Sequence, residues 1–208
     1  MTTLPNLGCK TNIKTAPKDL SSLFDFAFVG PFMGIFASLV FLVLGAKLTA
    51  QADPTTLQLY PSLPIATLRF STLGNAILDT LLGGALQTAP ASSGCVLHPY
   101  AVAGYFGLLI NGLDLLPLGS TDGGRISQAL FQRRMQDNIS GGIWFGLLAI
   151  SFFPGADVLT TAWIVSNIAN GDKPEPCENE VDGVNIFRTI AAFALWFVAY
   201  LAIVPVRN

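Results

Sequence analysis

Charge is what this 208-residue chain has least of: 12% of its residues are Asp, Glu, Lys or Arg, against 51% hydrophobic. An average soluble domain carries about 25% charged residues. The deficit, with a mean hydropathy of +0.56, points to an integral membrane protein whose first partner is the lipid bilayer. The formal net charge is −2 and no basic run occurs, so nucleic acid, which is gripped by neutralising its phosphates, is not an expected partner. Cysteine is scarce as well. Cys9, Cys95 and Cys177 stand apart without CxxC spacing, which predicts neither a zinc knuckle nor a disulfide framework but three unrelated thiols. There is one histidine, His98, and no glutamate before Glu175. A metal helix with two histidines at i and i+4 cannot be assembled from that inventory. No secretory signal is expected, because the first apolar run is too long for a signal core and no small-residue cleavage site stands near Met1.

What the chain does have is long charge-free runs. Residues 26–46 give 21 positions without a charge, between Asp25 and Lys47, enough to cross roughly 30 Å of hydrocarbon. Gly30 and Gly34 within it form a small-xxx-small step for close helix approach; Pro31 between them reads equally as a marker of the helix start. Residues 51–64, with Pro54, Pro61 and Pro64, read as a loop. Residues 65–82 carry Arg69 and Asp79 among helically spaced apolar positions and read as an amphipathic or re-entrant helix. Residues 83–94 read as a linker and 99–113 as a second apolar helix. A short amphipathic helix is expected over 126–134, then an uncharged run over 138–156 broken by Pro154-Gly155, and a shorter helix over 158–169. Residues 171–183 are acidic and read as a solvated loop, and 189–206 as the final span. The Asn138-Ile139-Ser140 sequon at a span edge is taken as chance. The expectation is an all-α polytopic membrane protein of four to five transmembrane helices plus one amphipathic or re-entrant helix. A polar N-terminal segment (1–24) precedes one membrane domain (25–206). Lys10, Lys14 and Lys18 flank the first helix, and Arg133-Arg134 follow the motif described next. If 65–82 does not cross, both basic groups share one face, the cytoplasmic or stromal one.

The second apolar helix runs into Asp114-Leu115-Leu116-Pro117-Leu118-Gly119-Ser120-Thr121-Asp122-Gly123-Gly124-Arg125. A carboxylate at membrane depth is costly and marks a functional site by default. Pro117 removes a donor and ends the helix, and Gly119 permits a tight turn. Asp122 then stands where a new helix begins, with Gly123 and Gly124 leaving room beside it and Arg125 anchoring the turn. Two roles for Asp122 fit this position and do not exclude one another: an N-cap accepting backbone N–H groups, and a metal ligand held near mid-membrane. A small transporter or channel, with Asp79, Asp114 and Asp122 lining a polar path, is a separate reading, as is a structural membrane subunit. The internal repeats common in transporters are absent from the sequence.

The run Leu115-Leu116-Pro117-Leu118-Gly119-x-x-Asp122-Gly123-Gly124-Arg125 resembles the second motif, Asn-x-x-Pro-x-x-x-x-Asp-Gly, of site-2-protease-type intramembrane metalloproteases (peptidase M50). The branch it is most similar to is the chloroplast and cyanobacterial one called ethylene-dependent gravitropism-deficient and yellow-green, with its NLLPVGxLDGGR pattern. His98-Pro99 followed by Ala103-Gly104 resembles that branch's HPL…AG segment, Val29 to Gly34 its AGPxAG segment, and Pro174 to Cys177 its PEKPC loop. The resemblance covers about residues 25–206. It implies zinc as the family's cofactor, bound by two histidines of an HExxH helix and by the motif aspartate, with the glutamate as general base. Asp122 matches that third ligand. Asp114 falls where the family has Asn, which puts a donor role at that position in doubt, since an ionised Asp cannot donate. His98 matches a non-ligand histidine of the branch. With no HExxH in these 208 residues, the resemblance implies a chain that binds no zinc by itself. It is either a piece of an active protease or a pseudoprotease scaffold that retains a groove for transmembrane-helix substrates or regulators. It implies a chloroplast membrane (thylakoid or envelope) in a plant or alga, and a plasma or thylakoid membrane in a cyanobacterium. Asp114, Pro117, Gly123, Gly124 and Arg125 are the expected groove and turn residues beside Asp122.

Overall fold

The charge-free run forms the body of α1 (Leu20–Gln51). Asp19 caps this helix: its carboxylate accepts the Ser22 N–H at 2.7 Å, and that bond holds the Asp19 carboxyl below the usual range. The cap starts the helix six positions before Phe26, so Pro31 lies well inside α1 and does not mark its start, a correction to that alternative. An interior proline withdraws its N–H from the carbonyl four residues back. The computed structural model describes residues 13, 15–152 and 176–206. These belong to two compact units, Met1–Phe32 with Leu113–Trp196, and Met33–Gly112 with Phe197–Asn208.

In the second unit, the expected loop holds α2 (Pro54–Leu57) and β1 (Ser62–Pro64), followed by α3 (Ile65–Leu68), α4 (Thr72–Leu81), α5 (Ala85–Thr88), β2 (Gly94–Val96) and α6 (Pro99–Asp114). The strands pair antiparallel, Ser62 opposite Val96 and Pro64 opposite Gly94; an all-α expectation misses this small sheet. The single helix expected over 65–82 is two, because Ser71 caps α4 by accepting the Gly74 N–H at 2.9 Å. Both charges of that segment turn inward. Arg69 donates to the carbonyls of Leu86 (3.1 Å) and Ala89 (3.0 Å), and Asp79 accepts the N–H groups of Leu86 (2.9 Å) and Gln87 (3.3 Å). Asp79, 5% exposed, therefore closes a structural turn and lines no polar path, which corrects that part of the transport reading. Cys95 is a free thiol; burial pushes it up and makes it a poor nucleophile. Cys9 lies outside the described residues.

Within this unit α1 and α6 meet backbone to backbone in opposite directions. A Cβ on Gly104 would strike the main chain of Ser38 and Leu42, and one on Gly45 that of Ala101. The Asn111 amide fills the space beside Gly34. Of the predicted glycine step, Gly34 thus makes the close approach, and Gly45 and Gly104 continue it. Tyr105, Leu68, Leu78, Leu97 and Leu108 are fully buried, and the Tyr105 hydroxyl donates to the Thr67 carbonyl at 2.7 Å.

The first unit contains α7 (Asp122–Ser151) and the start of α8 (Ile186–Ile203). The 126–134 and 138–156 predictions merge into α7, which has one break, at Gln132. Residues 154–156 and the helix expected over 158–169 lie outside the described residues. Arg188 clasps Asp25 with two 2.8 Å bonds, so α1 and α8 begin at one end of this unit. At that end the backbone after Pro17 pairs with the 178–179 segment, and Arg133 reaches Glu180 at 2.6 Å. The segment at Lys18 and Arg133 thus both meet residues 178–180; Lys10 and Lys14 lie outside the described residues.

Among the described residues two helices are long and apolar enough to cross a membrane, over Leu20–Ala50 and Ile186–Ile203, with mean hydropathies of 2.3 and 2.0. Only 28% of either apolar window is buried, the reverse of a soluble core helix, and Phe36, Phe187, Ile190 and Phe197 face outward. Two of the four to five predicted spans therefore meet this test. α6, at 16 residues, is shorter than the ~20 needed for a perpendicular crossing.

The α1–α6 packing makes a prediction. Gly104→Ala forces two backbones apart and should cost about 1–3 kcal/mol, lowering the thermal midpoint measured in detergent. Gly141→Ala, which meets open space, should be neutral or raise it.

Candidate functional site

The motif loop is built from α6's end outward. Asp114 is the last residue of α6, three positions before Pro117, which disfavours helix at the residue preceding it. Leu118 and Thr121 continue in tight turns, with N–H bonds to the carbonyls of Leu116 (2.7 Å) and Leu118 (3.1 Å). Gly119 has φ +48°, the left-handed conformation that favours glycine. Leu118 packs into a small cluster with Leu147, Ile143 and Trp144.

Thr121, not Asp122, caps α7. Its hydroxyl oxygen accepts the Gly124 N–H at 3.1 Å while its proton is shared between the carbonyls of Leu116 (2.9 Å) and Leu118 (2.8 Å). This overturns the capping role for Asp122, which is the first helical residue, where a negative charge favours the helix dipole. The two glycines after it have a steric reason. A Cβ on Gly123 would collide with the Leu115 and Leu116 carbonyls, and one on Gly124 with the Gly119 carbonyl. The first turn of α7 lies directly on the backbone of the loop before it.

Asp122 Oδ1 is 3.3 Å from Arg125 Nη1. The arginine is 3% exposed, its guanidinium 5.9 Å from the centre of the Phe26 ring. Asp122 itself is 30% exposed, and a Cβ on Gly30 would stand 3.8 Å from Oδ2. Gly30 is four residues, ~6 Å, inside the charge-free run, whose middle is Phe36. Asp122 therefore lies beside the part of α1 near the start of that run. Asp114 is half-buried, and it feels the charge of Asp122. Asp114, Pro117, Gly123, Gly124, Arg125 and Asp122 lie around one turn.

Residues that the motif reading missed hold the turn from behind. Ser140 donates to the Pro117 carbonyl at 2.9 Å and accepts the Gly119 N–H at 3.2 Å. Gln136 donates to the Gly119 carbonyl at 3.2 Å and the Trp196 indole to the Leu115 carbonyl at 3.0 Å. Ser140 is the sequon serine, buried and occupied. Gln136 and Ser140 belong to the second limb of α7, past the break at Gln132, where φ is +64° and ψ 167°. That conformation is nearly restricted to glycine and costs about 1–3 kcal/mol. It is held on one side by the Arg133–Glu180 pair and on the other by Phe131 against Phe193 and Trp196. The signal available in sequence was buried polarity, Ser and Gln at helical spacing in an apolar limb.

The zinc inventory does not close on these residues. A protein zinc site takes three or four ligands, and among the described residues no group of three His, Cys, Asp or Glu is placed to hold a metal ion. Asp122 is engaged with Arg125. His98 is structural: its Nδ1 accepts the Tyr100 N–H at 3.1 Å and its ring packs against Tyr60 and Tyr100.

Two measurements check this geometry. Gly123→Ala should destabilise by about 2–3 kcal/mol, seen as a lower thermal midpoint. Gln132→Gly should raise the midpoint, because relief of about 1–3 kcal/mol of strain outweighs the ~0.5–1 kcal/mol entropic cost of glycine.

The sequence model of peptidase family M50 matches residues 2–153. The chain is 28% identical to probable zinc metalloprotease EGY1, chloroplastic, of Oryza sativa subsp. japonica, covering 98% of this chain and 34% of the relative. It is 27% identical to the protein of the same name in Arabidopsis thaliana, covering 98% and 36%. With probable zinc metalloprotease EGY2, chloroplastic, of Oryza sativa subsp. japonica it shares 32% identity over 70% of this chain and 25% of the relative. The chain thus spans about a third of the length of the first two relatives. No solved structure matches it. The family match covers most of the chain and includes the whole Asp122 turn, and the chain belongs to peptidase family M50.

Proposed function

We propose that this chain is the motif-aspartate portion of a site-2-type intramembrane zinc metalloprotease, catalytically incomplete on its own residues. The supporting observation is the Asp122 turn: a carboxylate at a helix start, packed backbone on backbone through Gly123 and Gly124, with a buried arginine on one oxygen. Such rigidity suits a residue that must present an oxygen in one direction. Asp122 is the ligand this chain would contribute. The two histidines and the glutamate that complete a site in the resembled family have no counterpart in these 208 residues.

The setting in this reading is a membrane, with α1 and α8 spanning it and their apolar faces toward lipid. The relatives' names include "chloroplastic", which supports a chloroplast membrane. The face carrying Arg133 and the 177–180 segment is stromal by the charge rule. The groove above the turn takes a transmembrane-helix substrate in a complete enzyme, or the same kind of helix as a bound regulator in a pseudoprotease.

Zinc content is the test. The purified chain, dialysed against limiting zinc, should retain far less than one zinc per chain by elemental analysis, and Asp122→Ala should leave that value unchanged. One tightly held zinc per chain, lost in Asp122→Ala, refutes the incompleteness.

A further inference from the structure

We propose that a trough between the second half of α1 and α4 is a binding site for an anionic phospholipid, with one acyl chain in the trough and the headgroup phosphate on Lys47. This rests on the membrane reading above. The trough has a volume of about 500 Å³ and is lined by Val43, Lys47, Ala76, Ile77, Thr80 and Leu81. On α1 the lining residues are one helical turn apart. On α4 they form two such rows, Ala76 with Thr80 and Ile77 with Leu81, so the walls run lengthwise as an alkyl chain requires. α4 spends its other face on the protein interior, where Gly74, Asn75, Leu78 and Asp79 are buried.

Charge selects the ligand. Lys47 is the first charged residue after the run 26–46, which puts its ammonium at the boundary between hydrocarbon and headgroups while its stem lies along the apolar wall. It makes no hydrogen bond or ion pair among the described residues, and Asp79, the acid of α4, is turned inward onto Leu86 and Gln87. The trough therefore offers one uncompensated cation. Thr80 donates to the Ala76 carbonyl at 2.7 Å, so its oxygen has only lone pairs for a ligand. A phosphate for the lysine, a hydroxyl donor for the threonine and an alkyl chain for the walls together describe a phosphatidylglycerol. A zwitterionic headgroup brings its own cation beside Lys47.

The full chain in detergent is mixed with phosphatidylglycerol or phosphatidylcholine, and retained lipid is counted by native mass spectrometry. Phosphatidylglycerol should be retained about fivefold more than phosphatidylcholine, the factor expected for one lysine facing an anionic headgroup. Lys47→Gln should erase the preference without abolishing retention. Ala76→Trp, which fills the trough, should lower retention of both lipids, and excess glycerol 3-phosphate should displace neither. Equal retention of the two lipids, a preference unchanged in Lys47→Gln, retention unchanged in Ala76→Trp, displacement by glycerol 3-phosphate, or a second copy of the chain in place of lipid would each overturn the site. A chain that stays monodisperse without detergent refutes the membrane reading itself, before any lipid is added.

Discussion

Backbone packed on backbone is the constraint from which the candidate site follows. The first turn of α7 rests on the carbonyls of Leu115, Leu116 and Gly119, a contact open only to glycine at positions 123 and 124. Because the contact is between main chains, it cannot relax by a rotamer change. It fixes the direction of α7, and with it the position of Asp122 beside Gly30 and of Arg125 against Phe26. A charged residue in an apolar segment is tolerable only when its partner is in place, and here the partner lies three residues on, carried by the same rigid turn.

The support behind the turn is less economical. For Gln136 and Ser140 to reach the loop preceding their own helix, α7 has to fold back on itself, and the chain does so at Gln132 in a conformation that glycine would adopt more readily. Strain of this kind persists when the surroundings over-determine it. The Arg133–Glu180 pair and the aromatic contacts of Phe131 supply that restraint from two sides, and the geometry obtained is a motif loop whose Pro117 and Gly119 carbonyls and Gly119 N–H are all hydrogen-bonded from the second limb.

Charges in apolar stretches were the least legible feature of the sequence. Arg69, Asp79, Asp114 and Asp122 look alike as letters, each a costly group in a hydrophobic context. The fold separates them. Arg69 and Asp79 are tied to the turn around α5 through backbone groups up to 20 residues distant in the chain, which no local pattern announces. Asp122 keeps an exposed side and a nearby carboxylate. His98, the lone histidine, is likewise accounted for by Tyr60, Tyr100 and a local N–H.

Periodicity and composition were enough to give the mostly helical class, the apolar bodies of α1, α6 and α8, and the Asp122 turn with Gly119 at its tight bend. These depend on interactions within a few residues of one another, or on hydrophobicity alone. Only the tertiary structure decided that Thr121 caps α7, that Pro31 is interior to α1, that the 65–82 segment is two helices beside a small sheet, and that Gln136, Ser140 and Trp196 hold the motif loop. Each of these turns on which backbone groups remain unpaired after the chain has packed, and that is a property of the folded molecule.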